Sequence, residues 1–229
     1  MNVAARPLIL AHRGLHGSAI DAPKENSYEA FAALLRAPLD GVEFDVRIAR
    51  DGEPVVIHDA SLARTHGDPR AVADLDADEL TTLGVPRLAV ILQLLPPPLF
   101  LDIELKVAPT PLLIEQIRQA RGAAGERMVV SSFDPAHLRQ VEADAPSWER
   151  WLNVEEGDPL AAARAANCQG VAVALPLLSR QLFHEAALHK IRVAAWTVRA
   201  ESDVARLGSE NLYAVCGEGA GLSMMLSSR

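Results

Sequence analysis

What most restricts how this chain can fold is an alternation of two periodicities sustained over almost its whole length. Short apolar runs of strand length fall at 7–12, 41–46, 99–105, 127–131, 149–154, 170–175, 192–198 and 212–216. Segments with helical spacing separate them, at 27–36, 87–95, 110–123, 135–143, 159–166, 179–189 and 201–207, with a short tail at 222–228. Strands joined through helices return parallel, so the pattern describes a parallel sheet with helices packed on it. The helices are rich in Ala and Leu (Phe31-Ala32-Ala33-Leu34-Leu35, Leu160-Ala161-Ala162-Ala163), as an apolar outer layer requires. Eight units favour closure into a (β/α)8 TIM barrel over an open doubly wound sheet, and no Gly-x-Gly-x-x-Gly follows the first strand. Helix starts carry their own signals. Asn26 with Glu29 three residues later reads as a capping box, and Asp134-Pro135 and Asp158-Pro159 each place an N-cap before a first-turn proline.

Two stretches interrupt the rhythm. Asp51-Gly52 is a tight-turn pair, and Val55-Val56-Ile57 follows too soon for a parallel crossover, which predicts a β-hairpin extension after the second strand. Residues 59–86 form a polar, turn-rich insertion with one short helix, expected to act as a loop or lid. At 229 residues the chain is read as a single barrel domain, 1–229. No stretch has the apolar length of a membrane span, and Met1 to Pro7 with the short run Leu8-Ile9-Leu10-Ala11 lacks a signal-peptide pattern. Cys168 and Cys216 are far apart and suit free, partly buried thiols, so a cytoplasmic location is expected. The net charge of −8 argues against a nucleic-acid partner, and any phosphate-bearing ligand would need local cations to overcome it.

A parallel barrel places its chemistry at the C-terminal ends of its strands. The first strand ends His12-Arg13-Gly14; the second carries Glu43 and Asp45, which share one face because side chains repeat every second residue. The hairpin carries His58 back toward those carboxylates, the third strand delivers Glu104 and Lys106, and the seventh ends Trp196-Thr197. Like charges held this close favour a cation between them, and hard oxygen donors suggest Mg²⁺ or Ca²⁺. Each piece has an ordinary reading: a solvated hairpin with surface acids, a satisfied structural histidine, a same-face Glu104-x-Lys106 ion pair. Their coincidence at one rim is what points to a site. His66, His137, His184 and His189 lack metal-like partners, and His16 is a loop residue near the rim. Asp102 is expected to be buried and hydrogen-bonded, and Trp148 and Trp151 to pack.

On these residues the sequence resembles the glycerophosphodiester phosphodiesterases of the phospholipase-C-like barrel group. The resemblance rests on His12-Arg13-Gly14, Glu25-Asn26-Ser27, Glu43-Phe44-Asp45-Val46, Asp51 through Asp59, Glu104-Leu105-Lys106, Ser131-Ser132-Phe133 and Trp196-Thr197. It implies that His12 and His58 form an acid/base pair, that Glu43, Asp45 and Glu104 hold a divalent cation, and that Arg13 and Lys106 meet the phosphate. Trp196 would wall the glycerol carbons. The implied activity is hydrolysis of a small glycerophosphodiester to sn-glycerol 3-phosphate and an alcohol. Alternatives are a lysophospholipase-D-like activity on a lipid-bearing substrate, or an inactive barrel kept as a scaffold. Two positions depart from the family pattern. Lys24 stands where proline commonly precedes Glu-Asn, and the last strand ends Cys216-Gly217-Glu218-Gly219 in place of a Thr-Asp pair. The glycines 217, 219 and 221 read as a flexible turn in preference to a phosphate cradle at the barrel end, and the insertion is short for the family.

Overall fold

A computed structural model describes residues 6–17, 19, 21–208 and 211–228; the signal-peptide reading of the first five residues lies outside them. The strands are β1 (Leu8–His12), β2 (Gly41–Ile48), β3 (Pro54–Val56), β4 (Phe100–Leu105), β5 (Met128–Ser132), β6 (Arg150–Val154), β7 (Gly170–Ala174), β8 (Arg192–Val198) and β9 (Ala214–Gly217). Between them run α1 (Tyr28–Leu34), α2 (Ala63–His66), α3 (Ala77–Thr82), α4 (Leu88–Leu94), α5 (Pro111–Arg121), α6 (Pro135–Asp144), α7 (Pro159–Ala165), α8 (Arg180–His189) and α9 (Glu201–Val204), and α10 (Gly219–Ser227) follows the last strand.

The barrel is closed. β1 pairs in parallel with both β2 and β9, completing the ring β1-β2-β4-β5-β6-β7-β8-β9. β3 lies outside it, antiparallel to β2 with Val46 opposite Val56, as the hairpin reading requires. Side chains alternating outward, such as Ile9, Val42, Phe44 and Ile103, pack with the helices into the main core. Those alternating inward fill the barrel floor: Phe100 and Trp151 stack at 6.1 Å, and Trp151 meets Tyr213 edge-on at 5.5 Å. Gly170 is required here, because a Cβ on it would sit 2.3 Å from Trp151 Cδ1. Further along β7 and on β8 and β9 the inner positions are Ala172, Ala194 and Ala214, too small to fill a barrel that branched side chains would close. Space is left toward the C-terminal rim.

Three local expectations change. Ser27, not Asn26, caps α1, its Oγ accepting from the Ala30 amide at 3.2 Å. Asn26 is left-handed, with φ 56°, and its side chain turns into the barrel. The insertion holds two short helices, α2 and α3, over a small core of its own that includes Val55, Leu62, Leu75 and Leu80. The glycines after β9 are not a flexible turn: Gly219 and Gly221 open α10, and Gly221 packs so tightly on Val198 and Arg199 that a Cβ would fall within 2.9 Å of both. Among the described residues no helix is long and apolar enough to cross a membrane. Cys168 and Cys216 are free and buried.

Candidate active site

Strand register brings the acids together. His12 stands opposite Glu43 across β1 and β2, while Glu43 pairs with Asp102 and Asp45 with Glu104 across β2 and β4. Glu43, Asp45 and Glu104 are buried, and one carboxylate oxygen from each lies within 4.8 Å of the others. Among the described residues Glu43 Oε1, which is buried, has no hydrogen-bond partner. Burial, followed by repulsion from Asp45, Glu104 and Asp102, pushes Glu43 well above the usual carboxylate range. Burial and Asp45 likewise push Glu104 up to about 7, against the pull of Lys106. Asp45 goes the other way: burial would raise it, but Arg13, Lys106, His58 and a 2.8 Å bond from Asn26 Nδ2 hold it below its usual value. Three buried hard oxygen donors, one orphaned, suit a hard divalent cation.

Two cations sit against this cluster. Arg13 Nε lies 3.1 Å from Asp45 Oδ2, and its Nη1 donates to Glu25 at 2.8 Å. Lys106 Nζ pairs with Glu104 and stands 3.2 Å from Asp45 Oδ1. The left-handed φ of Arg13, 55°, lets its backbone amide reach the Glu43 carboxylate at 3.2 Å while its side chain turns to Asp45.

Both histidines reach the same cavity, and each spends Nδ1 on a carboxylate. His12 Nδ1 meets Glu218 Oε2 at 2.5 Å, with Nε2 on the cavity side 3.9 Å from Glu43. His58 Nδ1 meets Asp59 at 2.6 Å. The hairpin delivers His58 by backbone bonds, Ile57 N to Asp45 O at 3.0 Å, and by Arg47, whose Nε donates to the His58 carbonyl at 2.7 Å. Burial lowers both imidazoles below their usual value, more strongly than the neighbouring carboxylates raise them. A carboxylate accepting from Nδ1 fixes the tautomer that leaves Nε2 free to take a proton.

These groups line a cavity of about 200 Å³ together with Trp196, Phe133 and Asn153. Phe133 and Trp196 meet edge-to-face at 5.5 Å, and Lys106 Nζ lies 5.5 Å from the Phe133 ring centre. Every residue singled out for the site, His12, Arg13, Glu43, Asp45, His58, Glu104, Lys106 and Trp196, thus falls in or against one cavity. Asp102 is buried as expected, accepting from Ser131 Oγ at 2.5 Å, and burial raises it to about 7 despite that bond. Trp148 and Trp151 are core residues, and His66, His137, His184 and His189 stay off the cavity.

Two features escaped the sequence reading. Glu218 caps β9 and orients His12, a role visible only once closure sets β9 beside β1; the sequence signal was an acid directly after a strand end. The second is Arg64 in α2, which donates to Glu25 at 2.6 and 2.8 Å and to Asp59 at 2.6 Å, bracing the partners of Arg13 and His58. Among the described residues none of the insertion, 59–86, lines the cavity, and its link to the site is this brace.

The sequence matches the model of the Glycerophosphoryl diester phosphodiesterase family over residues 12–110 and 106–217. A curated relative, glycerophosphodiester phosphodiesterase of Caldanaerobacter subterraneus subsp. tengcongensis, is 31% identical over 159 residues, covering 62% of this chain and 64% of the relative. Another, from Bacillus altitudinis, is 40% identical over 72 residues, covering 31% and 28%. The chain therefore spans less than two thirds of the length of these curated relatives. Among solved structures, glycerophosphodiester phosphodiesterase of Thermotoga maritima superposes with a TM-score of 0.81 at 20% identity, covering 98% of this chain and 99% of that one. A phosphodiesterase of Oleispira antarctica, solved with its product sn-glycerol-3-phosphate, gives 0.76 at 22% identity, covering 96% and 95%. At these identities the structural likeness is one of fold.

Proposed function

We propose that this chain, which belongs to the glycerophosphoryl diester phosphodiesterase family, hydrolyses small glycerophosphodiesters to sn-glycerol 3-phosphate and an alcohol. The observation that carries the reading is the meeting in one cavity of three buried carboxylates, two fixed cations and two histidines tied to carboxylates. The sn-glycerol-3-phosphate held by the Oleispira antarctica protein supports the same substrate class.

Glu43, Asp45 and Glu104 would hold a divalent cation, Mg²⁺ or Ca²⁺, which when bound supplies Lewis-acid neutralisation of the phosphoryl charge. A phosphodiester is an anion that repels nucleophiles, so fixed positive charge must offset it, and Arg13 and Lys106 provide it beside the cluster. Phe133 and Trp196 offer an apolar wall to glycerol carbons at the mouth. With Nδ1–H given to Glu218 and to Asp59, His12 and His58 each present Nε2 for proton transfer. One takes the proton of the attacking hydroxyl and the other gives a proton to the departing alcohol oxygen. Their lowered pKa values keep the base unprotonated at neutral pH.

The test is release of sn-glycerol 3-phosphate from a panel of glycerophosphodiesters after EDTA treatment and after return of Mg²⁺ or Ca²⁺. Release that EDTA abolishes and either cation restores is expected; no metal-dependent release from any diester overturns the reading. His12→Ala and His58→Ala should each lose roughly 10²–10⁴ in kcat.

A further inference from the structure

We propose that His12, His16 and Glu218 form a second cation site, suited to a borderline metal such as Zn²⁺, whose occupation shuts down the hydrolysis by capturing Nδ1 of His12. The inhibitory half of this inference rests on the function proposed above; the site itself does not.

Barrel closure builds the cluster. β1 ends at His12, the loop after it carries His16, and β9, hydrogen-bonded to β1, ends just before Glu218. One ligand atom from each lies within 4.8 Å of the other two. Glu218 Oε2 is 2.5 Å from His12 Nδ1 and 3.4 Å from His16 Nε2, while Oε1 is held separately by Arg199 Nε at 2.7 Å. His16 Nε2 is buried and, among the described residues, has no polar partner beyond its long 3.4 Å contact with Glu218, a poorly satisfied ring nitrogen that a cation would relieve. Ligands at ~2.0–2.1 Å from a tetrahedral ion stand ~3.3 Å apart, so His16 and Glu218 are already spaced for one. The His12–Glu218 hydrogen bond has to open.

Chemistry separates this cluster from the acid triad. Two imidazoles and one carboxylate favour zinc-like ions, whereas the all-oxygen set of Glu43, Asp45 and Glu104 favours Mg²⁺ or Ca²⁺. Neutral His12 carries one proton, placed on Nδ1 by Glu218. A metal taking Nδ1 moves that proton to Nε2, the atom facing the cavity. No proton is lost from the ring, yet the nitrogen that must accept one is blocked, and the coordinated ring holds its remaining proton too tightly to donate it.

The experiment titrates Zn²⁺ into the diesterase assay at saturating Mg²⁺ or Ca²⁺, with wild type, His16→Ala and His16→Asn. Wild type should be inhibited, and both variants should need more than about tenfold higher Zn²⁺, the smallest loss that even an outer-sphere partner costs a zinc site. Equal sensitivity in all three overturns the proposal. Binding is read independently of activity by Co²⁺ absorption in the visible. A four-coordinate spectrum in wild type that persists in Glu104→Gln and disappears in His16→Ala is expected. No such spectrum, or the reverse dependence on the two variants, overturns it. A protein that cleaves no diester still answers through the Co²⁺ arm, so failure of the proposed function and failure of this site are distinguishable.

Discussion

Glu218 decides which nitrogen of His12 faces the cavity, and its charge sets how readily that nitrogen is protonated. Burial lowers the imidazole and the Glu218 bond opposes the fall, so removing the charge lets the pKa drop further. Glu218→Gln should therefore shift to lower pH whichever limb of the kcat/KM profile His12 sets, the acid limb if it is the base and the alkaline limb if it is the acid. Glu218→Ala, which also frees the ring to turn, should approach the roughly 10²–10⁴-fold loss of a missing acid or base. A pH–rate profile with KM followed separately checks both. At this scale most of the site was legible. Period-two spacing alone puts Glu43 and Asp45 on one face, and the turn at Asp51-Gly52 returns His58 to them. Glu218 was not legible, because its partner lies 206 residues away and meets it only through strand order.

Elements were read more reliably in kind than in their ends. Asp134 and Asp158 cap their helices as expected, with Asp158 accepting from both Leu160 and Ala161. Asn26 offered an equally good capping pattern, yet Asp45 claims its side chain and Ser27 takes over the cap. No local rule ranks a buried carboxylate against a helix amide. The three glycines at and after the end of β9 suggested flexibility, yet the smallness of Gly217 and Gly221 serves close packing of α10, and Gly219 supplies a positive φ of 56° at its start.

The insertion is tied to the rim by Arg64, whose bonds help hold Glu25 and Asp59 down to about 2. Depressed carboxylates stabilise the fold above their ordinary pKa, and that contribution is lost as pH falls toward 2. Arg64→Ala should cost about 1 kcal/mol at pH 7, solvent screening included, and flatten the acid-side loss of stability. Urea unfolding at pH 7 and pH 3 measures this. In the barrel floor, Gly170→Ala drives a methyl into Trp151 and should lower the urea midpoint by the equivalent of about 1–3 kcal/mol.

For the whole molecule, the buried acids set a pH-dependent burden. Glu104 and Asp102 are raised to about 7, so between the ordinary carboxylate range and about 7 the native state binds more protons than the unfolded chain. Stability without metal should then fall as pH rises through that window. A cation that binds only the native state contributes about 2.7 kcal/mol at a hundredfold excess over Kd, or about 5–10 °C in Tm for a chain of this size. Thermal scans with Mg²⁺ or Ca²⁺ should give a larger gain at pH 8 than at pH 5, because protons compete for the same oxygens. An equal gain at both would place the cation elsewhere.

The pairing of β9 with β1 joins the last strand made to the first. During synthesis His12, Glu43, Asp45, His58 and Glu104 all emerge before Glu218, so these side chains stand for a time without the group that orients His12. A chain halted at Tyr213 would have an open wall between β8 and β1 and an imidazole free to rotate. Closing the barrel wall and fixing the His12 ring therefore depend on one and the same strand, so any change that loosens β9 should unsettle both together.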